Sequence, residues 1–386
     1  MALSYFAPPP KPKSELGYHR VLAPSAGIKV SPLCLGAMNF GENWKEFMGE
    51  CDKSTSFEVL DAFFDLGGNF IDTANLYQSE ESEEWLGEWM ESRKVRDQMV
   101  VATKYTSGYR SHRRDAEPIQ SNFVGNSMKS LTLSVNASLK KLRTDYIDLL
   151  YVHWWDFTTS VEEVMHGLNA LISTGKVLYL GVSDTPAWVV VKANAYARQH
   201  GLRPFSVYQG RWSANFRDME REIVPMCEDQ GMAIAPWGPL GQGRLKPAKT
   251  RAEQHVGAPR AAQMSETEVK ISDALEKVAK RKETSLYAIA LSYIMQKAPS
   301  VFPIVGQRKV EHLKDNIEAL KISLSKEDIY EIDDAADFDP GFPMNFIFRG
   351  VPSYHTDLTA ADVGLTRSAA HIEALPKQAP VPHREH

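Results

Sequence analysis

The feature that most constrains this chain is a repeated alternation of a short apolar run with a longer stretch of helical period. Such an alternation is typical of a β-strand that leads through a helix to a further parallel strand. The apolar runs are residues 31–36, 69–74, 99–104, 147–153, 177–183, 205–209, 232–237 and 301–306. Eight units of this kind predict an α/β protein with a (β/α)8 TIM-barrel fold.

The segments outside these units predict additions to the barrel. Residues 18–30 favour a β-hairpin, turning through Pro24 to Gly27, that plugs one end of the barrel. The stretch 241–265 is longer than most loops, and we interpret it as a loop that reaches over a cofactor. The expected divisions are a Pro-rich leader at 1–14, the barrel at 15–340, and a C-terminal tail at 341–386 that partly covers the active site and is partly disordered.

Composition excludes several classes of protein. The chain is 43% hydrophobic and 24% charged, which is typical of a globular protein. Its net charge of −5 argues against nucleic acid as a partner. The three cysteines, Cys34, Cys51 and Cys227, have neither disulfide-framework nor zinc-site spacing, so we expect no metal and a reducing, cytoplasmic location. No apolar stretch reaches the length of a membrane span, and the sequence does not distinguish a monomer from an oligomer.

Polar or aromatic side chains follow nearly every apolar run. In a parallel barrel the active site is built at the carboxyl ends of the strands, so these residues are candidates for one site. They are Asp72, Lys104, His153, Ser183, Asp184, Gln209, Trp237 and the cluster Gln307, Arg308 and Lys309. Taken singly, each is explained by an ordinary strand end. Their joint occurrence favours a catalytic site.

The segment GGNFIDTANLYQSEESEEWLG at residues 67–87 carries the sharpest signal. It resembles the aldo-keto reductase signature G-x-x-x-x-D-T-A-x-x-Y-x-x-E, with Asp72 and Tyr77 at the two diagnostic positions. Lys104 and His153 then match the remaining members of that family's catalytic tetrad, in order and in strand position. The resemblance covers roughly residues 18–336 and is greatest to fungal aryl-alcohol dehydrogenases and norsolorinic acid reductases. It implies NADPH-dependent reduction of an aldehyde or ketone to the alcohol.

The chemistry of the four residues agrees with that implication. Carbonyl reduction needs a hydride on carbon and a proton on oxygen, and an unperturbed tyrosine, with a pKa of about 10, is a reluctant donor. The ammonium of Lys104 is expected to lower the pKa of Tyr77, with Asp72 holding the lysine in place. His153 can share the proton path or donate a hydrogen bond to the carbonyl oxygen. The alternatives are a Tyr77 packed on the barrel rim and a purely structural Lys104–Asp72 pair.

No G-x-G-x-x-G follows a strand, so a Rossmann domain is not indicated. The resemblance implies a dinucleotide site formed by residues from several strand ends instead. The matching positions are Asp72, Ser183, Asp184, Gln209, Trp237, Leu240, Gly243, Gly306, Gln307, Arg308 and Asn316. Asp184 stands where the family usually has asparagine, and Trp237 where it places an aromatic that stacks on nicotinamide. Arg308 and Lys309, at a helix start, offer the charge and backbone donors that a phosphate needs, which favours NADPH over NADH.

Aromatic residues near the strand ends predict an apolar substrate pocket. Its expected members are Trp44, Trp154, Trp155 and Phe346, with Phe47, Met48, Phe342 and Phe348 beside them. We expect aryl aldehydes or polycyclic aromatic ketones of the polyketide type as substrates. Two other functions stay open: a regulatory or binding subunit that keeps its cofactor site, as in the potassium-channel β subunits, and a phosphate-binding barrel isomerase or aldolase.

Overall fold

The strands form a hairpin and a barrel in this computed structural model, which describes residues 7–252, 264–352 and 355–381. The strands are β1 (Arg20–Ala23), β2 (Ala26–Val30), β3 (Cys34–Gly36), β4 (Phe70–Asp72), β5 (Val100–Tyr105), β6 (Ile147–Val152), β7 (Val177–Ser183), β8 (Val207–Arg211), β9 (Ala233–Trp237) and β10 (Ile304–Gly306). Strands β3 to β10 form one parallel sheet in the order β10-β3-β4-β5-β6-β7-β8-β9. A parallel bridge between Ile234 and Val301 joins its two edges. The predicted (β/α)8 barrel is therefore confirmed.

Two prolines explain why the first and last barrel strands are shorter than the predicted runs. Pro303 directly precedes the first paired residue of β10, Pro32 lies two residues before the first paired residue of β3, and proline has no N–H to donate to a strand ladder. The two strands still meet closely, because the carbonyl of Pro303 accepts a hydrogen bond of 2.9 Å from the backbone N–H of Cys34. All eight barrel strands begin and end within three residues of the predicted runs.

Helices surround the barrel. They are α1 (Lys45–Met48), α2 (Lys53–Asp65), α3 (Glu81–Arg93), α4 (Met128–Lys141), α5 (Val161–Ser173), α6 (Ala187–Gln199), α7 (Met219–Gln230), α8 (Ala248–Ala252), α9 (Glu266–Arg281), α10 (Leu286–Met295), α11 (Val310–Glu318), α12 (Lys326–Asp333), α13 (Met344–Ile347) and α14 (Gly364–Arg367). Short 3-10 turns lie at Glu15–Gly17, Tyr77–Glu80, Arg96–Gln98, Ser111–Arg113, Gly241–Gly243, Ala319–Lys321 and Ala360–Asp362. Serine side chains cap several helix starts: Ser127 accepts from Ser130 N at α4, and Ser265 forms a capping box at α9.

The hydrophobic core has two parts. One fills the barrel interior, and the other lies between the barrel and its helices. Gly181 in β7 makes room in the interior for Tyr151 of β6, because a Cβ on this glycine would lie 2.4 Å from the tyrosine ring. The predicted hairpin is confirmed as β1 and β2. Its Leu22 and Val30 are fully buried and belong to the interior cluster, so the hairpin closes that end of the barrel.

The segment 241–265 contains more regular structure than we expected, since it includes the Gly241–Gly243 turn and helix α8. Its residues 253–263 lie outside the described part of the chain. Ion pairs join the tail to the outer helices: Lys377 pairs with Glu228 of α7 at 2.8 Å, and Lys326 of α12 pairs with Asp357 at 2.7 Å. Covering of the active site by the tail stays a prediction, and residues 1–6, 353–354 and 382–386 lie outside the described structure.

Three features of the described chain bear on other classes of protein. None of the described helices is long and apolar enough to cross a membrane. Within the described ranges, no group of three or more histidine, cysteine, aspartate or glutamate side chains could hold a metal ion. Cys34, Cys51 and Cys227 are all buried and free.

Candidate active site

Asp72 and Lys104 lie at the carboxyl ends of adjacent strands β4 and β5, and both are buried. The Lys104 ammonium donates to Asp72 Oδ1 at 2.6 Å, to the Thr73 carbonyl at 2.7 Å and to the Tyr77 hydroxyl at 3.2 Å. An ammonium has three hydrogens to donate, so each of them has an acceptor here. The hydroxyl of Tyr77 accepts from Lys104, which leaves its own proton free to be donated.

The turn that carries Tyr77 has a strained backbone. The three residues after Tyr77 are not glycines, yet their φ angles are 52°, 54° and 87°. Each such residue costs roughly 1–3 kcal/mol, so surrounding contacts must hold the turn. Gln78, which is fully buried, supplies two of them: its Nε2 donates to the Met38 carbonyl at 3.0 Å, and its Oε1 accepts from Trp44 N at 2.7 Å. These bonds attach the loop that bears Trp44 to the turn that bears Tyr77.

Ion pairs of the buried Glu80 hold the other end of this turn. Glu80 pairs with Lys141 at 2.9 Å and with Arg113 at 2.6 Å. Lys141 also pairs with Glu83 at 2.8 Å, and Glu83 accepts from Thr103 of β5. The turn is therefore fixed to helix α4 and to the strand that carries Lys104.

The pKa of Tyr77 is raised rather than lowered, which corrects the expectation from sequence. Burial raises this pKa more than the charge and hydrogen bond of Lys104 lower it. The sequence identified the lysine as a neighbour but gave no measure of the desolvation of the phenol. Tyr77 consequently holds its proton at neutral pH. The pKa of Lys104 is lowered by burial but raised more strongly by Asp72 and Tyr77, so its ammonium stays charged.

His153 follows β6 and lies beside Tyr77, with ring centroids 6.0 Å apart in an edge-to-face arrangement. Burial and the neighbouring Lys104 charge lower the pKa of His153 to about 3, so its imidazole is neutral at physiological pH. Its Nδ1 lies 3.2 Å from Ser107 Oγ. The structure thus brings all four residues of the predicted tetrad together.

The side chains predicted to contact nicotinamide lie on or directly after β7, β8 and β9, and those of Ser183, Asp184 and Trp237 contact one another. Ser183 Oγ donates to Asp184 at 3.2 Å, and Trp237 Nε1 donates to the other carboxylate oxygen at 3.3 Å. Burial raises the pKa of Asp184, although these two hydrogen bonds offset part of the shift. Gln209 Nε2 donates to Asp72 Oδ2 at 2.9 Å, so it reaches the tetrad directly.

A cavity of about 660 Å³ lies at the start of α11, between β10 and the loop after β3. Arg308 projects into it beside Gly49, whose φ is 82°, and a Cβ at that glycine would lie 1.8 Å from Arg308 Nη1. The other basic residues of the cavity are Lys45, Lys309 and His312. Its acidic residues are Glu42, Glu50, Asp52, Glu58 and Glu311. Both signs of charge therefore surround the place where the sequence predicts a phosphate.

Gln307 and Asn316 form a buried pair beside this cavity. Asn316 Nδ2 donates to Gln307 Oε1 at 3.0 Å, while Gln307 Nε2 is buried without a hydrogen-bond partner among the described residues. Leu240 is partly buried, and Gly243 and Gly306 are exposed. The unpartnered amide is a donor available to a bound group.

The predicted substrate-pocket residues do not all lie together. The rings of Trp44 and Tyr77 are 6.2 Å apart, and Trp154 is 36% exposed. Trp155 is only 7% exposed and packs between the barrel and the helices, where it has little surface for a ligand. Phe346 is half exposed on α13 and pairs with Phe342, with ring centroids 6.4 Å apart.

Sequence reasoning missed two residues that organise the site. Gln78 directly follows Tyr77, and its fully buried amide could have been suspected only if the turn were known to be left-handed. Ser107 lies between the side chains of His153 and Trp154. A loop serine carries no sequence signal for such a role.

Comparison with known proteins agrees with this geometry. Residues 32–337 match the model of the aldo/keto reductase family. The chain is 56% identical over 375 residues to norsolorinic acid reductase A of Aspergillus parasiticus, covering 96% of this chain and 95% of that protein. It is 53% identical over 387 residues to the NADP(+) aryl-alcohol dehydrogenase of Phanerodontia chrysosporium, covering 97% and 98%.

An aryl-alcohol dehydrogenase of Pestalotiopsis microspora is 52% identical over 384 residues, covering 98% of this chain and 97% of that protein. These matches extend over nearly the whole chain and confirm the resemblance predicted from the motifs. The chain belongs to the aldo/keto reductase family and is an oxidoreductase that acts on carbonyl or alcohol groups.

Proposed function

We propose that the protein reduces an aryl aldehyde or a polycyclic aromatic ketone with NADPH, and that Tyr77 donates the proton. The observation that carries the proposal is the complete use of the Lys104 ammonium by Asp72, Thr73 and Tyr77. The hydroxyl proton of Tyr77 is therefore free to be donated. The phenolate that forms when it leaves faces the fixed positive charge of Lys104. This arrangement suits a general acid.

The protein side of the reaction follows from these contacts. NADPH, when bound, supplies the hydride for the carbonyl carbon. Tyr77 gives its proton to the carbonyl oxygen, so the products are the alcohol, NADP+ and a phenolate that regains its proton from water. Lys104 stabilises that phenolate, and Asp72 keeps the lysine charged and in position. Neutral His153 can donate a hydrogen bond to the same oxygen but is a poor acid, because protonation of its ring is unfavourable.

The residues present fit NADPH. Arg308, Lys309 and Lys45 line the cavity at the start of α11, and the buried Nε2 of Gln307 lacks a partner in the described structure. A ribose phosphate would accept charge-assisted hydrogen bonds from these side chains and from the backbone N–H groups at the helix start. The name of one relative, which includes NADP(+), supports the same choice of cofactor.

Aromatic surface near the tetrad supports the substrate class. Trp44 lies against Tyr77, Trp154 is partly exposed two strands away, and Phe47 is 66% exposed on α1. The names of the relatives, norsolorinic acid reductase and aryl-alcohol dehydrogenase, point to the same aromatic chemistry. A flat apolar substrate would bury these rings, whereas a sugar would not.

Steady-state oxidation of NADPH tests the proposal. We expect a substituted benzaldehyde or an anthraquinone-type ketone to have a higher kcat/KM than glyceraldehyde or glucose, and NADPH to support faster turnover than NADH. A preference for the aliphatic substrates would contradict the substrate class. Tight NADPH binding without turnover of any carbonyl compound would instead favour the regulatory-subunit function.

A further inference from the structure

His153, Ser107 and Trp154 form a chain of hydrogen-bonding atoms at the edge of the tetrad. Trp154 Nε1 donates to Ser107 Oγ at 3.1 Å, and the same oxygen lies 3.2 Å from His153 Nδ1. An indole N–H can only donate, and a hydroxyl has one hydrogen to donate and two lone pairs that accept. The direction of the first bond is therefore fixed.

The direction of the second bond follows from the first. If Nδ1 carried the histidine proton, Ser107 Oγ would accept from both rings, and its own hydrogen would have no acceptor among the contacts of the described chain. If Nδ1 is unprotonated, the hydroxyl accepts from Trp154 and donates to Nδ1, so the two bonds run in one direction through the oxygen. Hydrogen bonds in such a chain polarise and strengthen one another, whereas two donors to the same oxygen do not, and the second arrangement is therefore preferred.

We infer that Ser107 is a positioning residue that holds His153 in the tautomer with its proton on Nε2. Nε2 makes no hydrogen bond within the part of the chain that the structure describes, and it is thus available as a donor. This inference rests on the proposed function in one respect: the acceptor for Nε2–H is taken to be the carbonyl oxygen that Tyr77 protonates. The tautomer itself is a property of the protein alone.

Two further observations agree with a fixed, neutral ring. Burial and the charge of Lys104 keep the pKa of His153 near 3, so the doubly protonated form does not compete at neutral pH. The backbone N–H of His153 also donates to Thr106 Oγ1 at 3.3 Å, and Thr106 has a φ of 92°. The loop after β5 thus holds both the backbone and the side chain of His153.

Nitrogen NMR of the full-length protein labelled with 15N-histidine tests the inference without substrate. Loss of one signal in His153→Asn assigns the residue. In the wild type at pH 7 we expect the His153 signals of the Nε2–H tautomer. In Ser107→Ala we expect the Nδ1–H population to rise to a detectable fraction, and Ser107→Thr, which keeps the hydroxyl, should restore the wild-type signals.

Ser111→Ala is the matched control, because Ser111 lies in the same loop but donates to the Gly108 carbonyl instead. It should leave the His153 signals unchanged. A wild-type protein in the Nδ1–H tautomer, or a Ser107→Ala spectrum identical to the wild type, would overturn the inference.

Kinetics separates this inference from the proposed function. Ser107→Ala should lower kcat for aryl aldehyde reduction about tenfold, the effect of roughly 1.4 kcal/mol, while the dissociation constant of NADPH stays unchanged. A change of tautomer without a change in kcat would show that the Nε2 proton has no part in the reaction, and would overturn that part of the inference. Absence of any reductase activity in the wild type would contradict the proposed function and leave the tautomer result intact.

Discussion

The charge of Lys104 and the burial of the phenol have opposing effects on the pKa of Tyr77, and their balance decides which form of Tyr77 exists at neutral pH. The charge favours the phenolate, but the burial of the phenol outweighs it, so the pKa of Tyr77 is raised. At pH 7 the residue is therefore a phenol, which is the form that reduction needs. Alcohol oxidation needs the phenolate as a base, and we expect its rate to increase with pH through the alkaline range.

The substitution Lys104→Met tests this balance. It removes the positive charge that favours the phenolate, so the pKa of Tyr77 should rise further and the increase in the oxidation rate should move to higher pH. The measurement is kcat for aryl-alcohol oxidation between pH 7 and 10. Lys53→Met, which removes a lysine from the surface pair with Glu88, should leave the profile unchanged. A shift of the Lys104→Met profile to lower pH would contradict the account.

At the scale of elements, the turn Tyr77–Glu80 combines a strained backbone with the position of the proposed proton donor. Its left-handed residues are tolerated because the side chains of Gln78 and Glu80 are fully engaged. The Gln78 amide also connects two elements that are far apart in sequence, the loop after β3 and the turn after β4. We infer that this amide sets the position of Trp44 over the site.

Gln78→Ala should therefore weaken the binding of aromatic substrates selectively. It removes the two hydrogen bonds that attach the Trp44 loop to the turn, and if the contact of substrate with Trp44 is worth about 1.4 kcal/mol, KM for a substituted benzaldehyde should rise roughly tenfold, with a smaller change for glyceraldehyde. The free energy of unfolding in urea should fall by about 1–3 kcal/mol. Ser79→Ala is the control, since Ser79 shares the left-handed backbone but makes no side-chain hydrogen bond in the described structure. Equal rises in KM for both substrates would argue against a role for Trp44.

The elements were predictable to different degrees. The barrel strands carry continuous apolar runs because both faces are covered, and that signal survives in the sequence of β4, β5 and β6. The shortening of β3 and β10 follows from Pro32 and Pro303 and could have been anticipated. The left-handed turn after Tyr77 could not, because non-glycine residues with positive φ are held by tertiary contacts that no local pattern records.

The same distinction holds for the site in the whole molecule. The proximity of Asp72, Lys104 and His153 was predictable because strand ends converge in any parallel barrel, and the family motif indicated Tyr77 as their neighbour. Trp155 was expected in the substrate pocket but is buried between the barrel and the helices. It lies in the loop after β6, where no regular spacing of side chains predicts which of them face the pocket. Ser107 depends on how the loop after β5 folds back toward β6. Loop geometry was therefore the main missing information.

The two ends of the barrel differ: one is closed by the hairpin, and the other carries the candidate active site. The hairpin seals one end, while the tetrad and the cavity beside α11 lie at the other, where the proposed dinucleotide would extend from Trp237 toward Arg308. Arg308 is the basic residue inserted against Gly49, in a cavity that also holds five acidic side chains. Its removal would leave that cavity more acidic and repel an extra phosphate.

Arg308→Ala should therefore weaken the binding of NADPH far more than the binding of NADH. A charge-assisted hydrogen bond is worth roughly 1.5–3 kcal/mol, so the dissociation constant of NADPH should rise about 10- to 100-fold. Fluorescence titration with both cofactors measures the difference, and NADH serves as the internal control. Equal weakening of the two cofactors would show that the 2′-phosphate binds elsewhere.

The most direct measurement for the whole account is steady-state reduction of an aryl aldehyde by Tyr77→Phe, with cofactor affinity measured in parallel. The variant keeps the ring, its contact with Trp44 and the Lys104–Asp72 pair, and removes only the hydroxyl. We predict that kcat falls by ~10²–10⁴-fold while folding and NADPH affinity are retained. If the variant kept most of its kcat with unchanged cofactor affinity, Tyr77 would not be the proton donor, and His153 would have to be the acid.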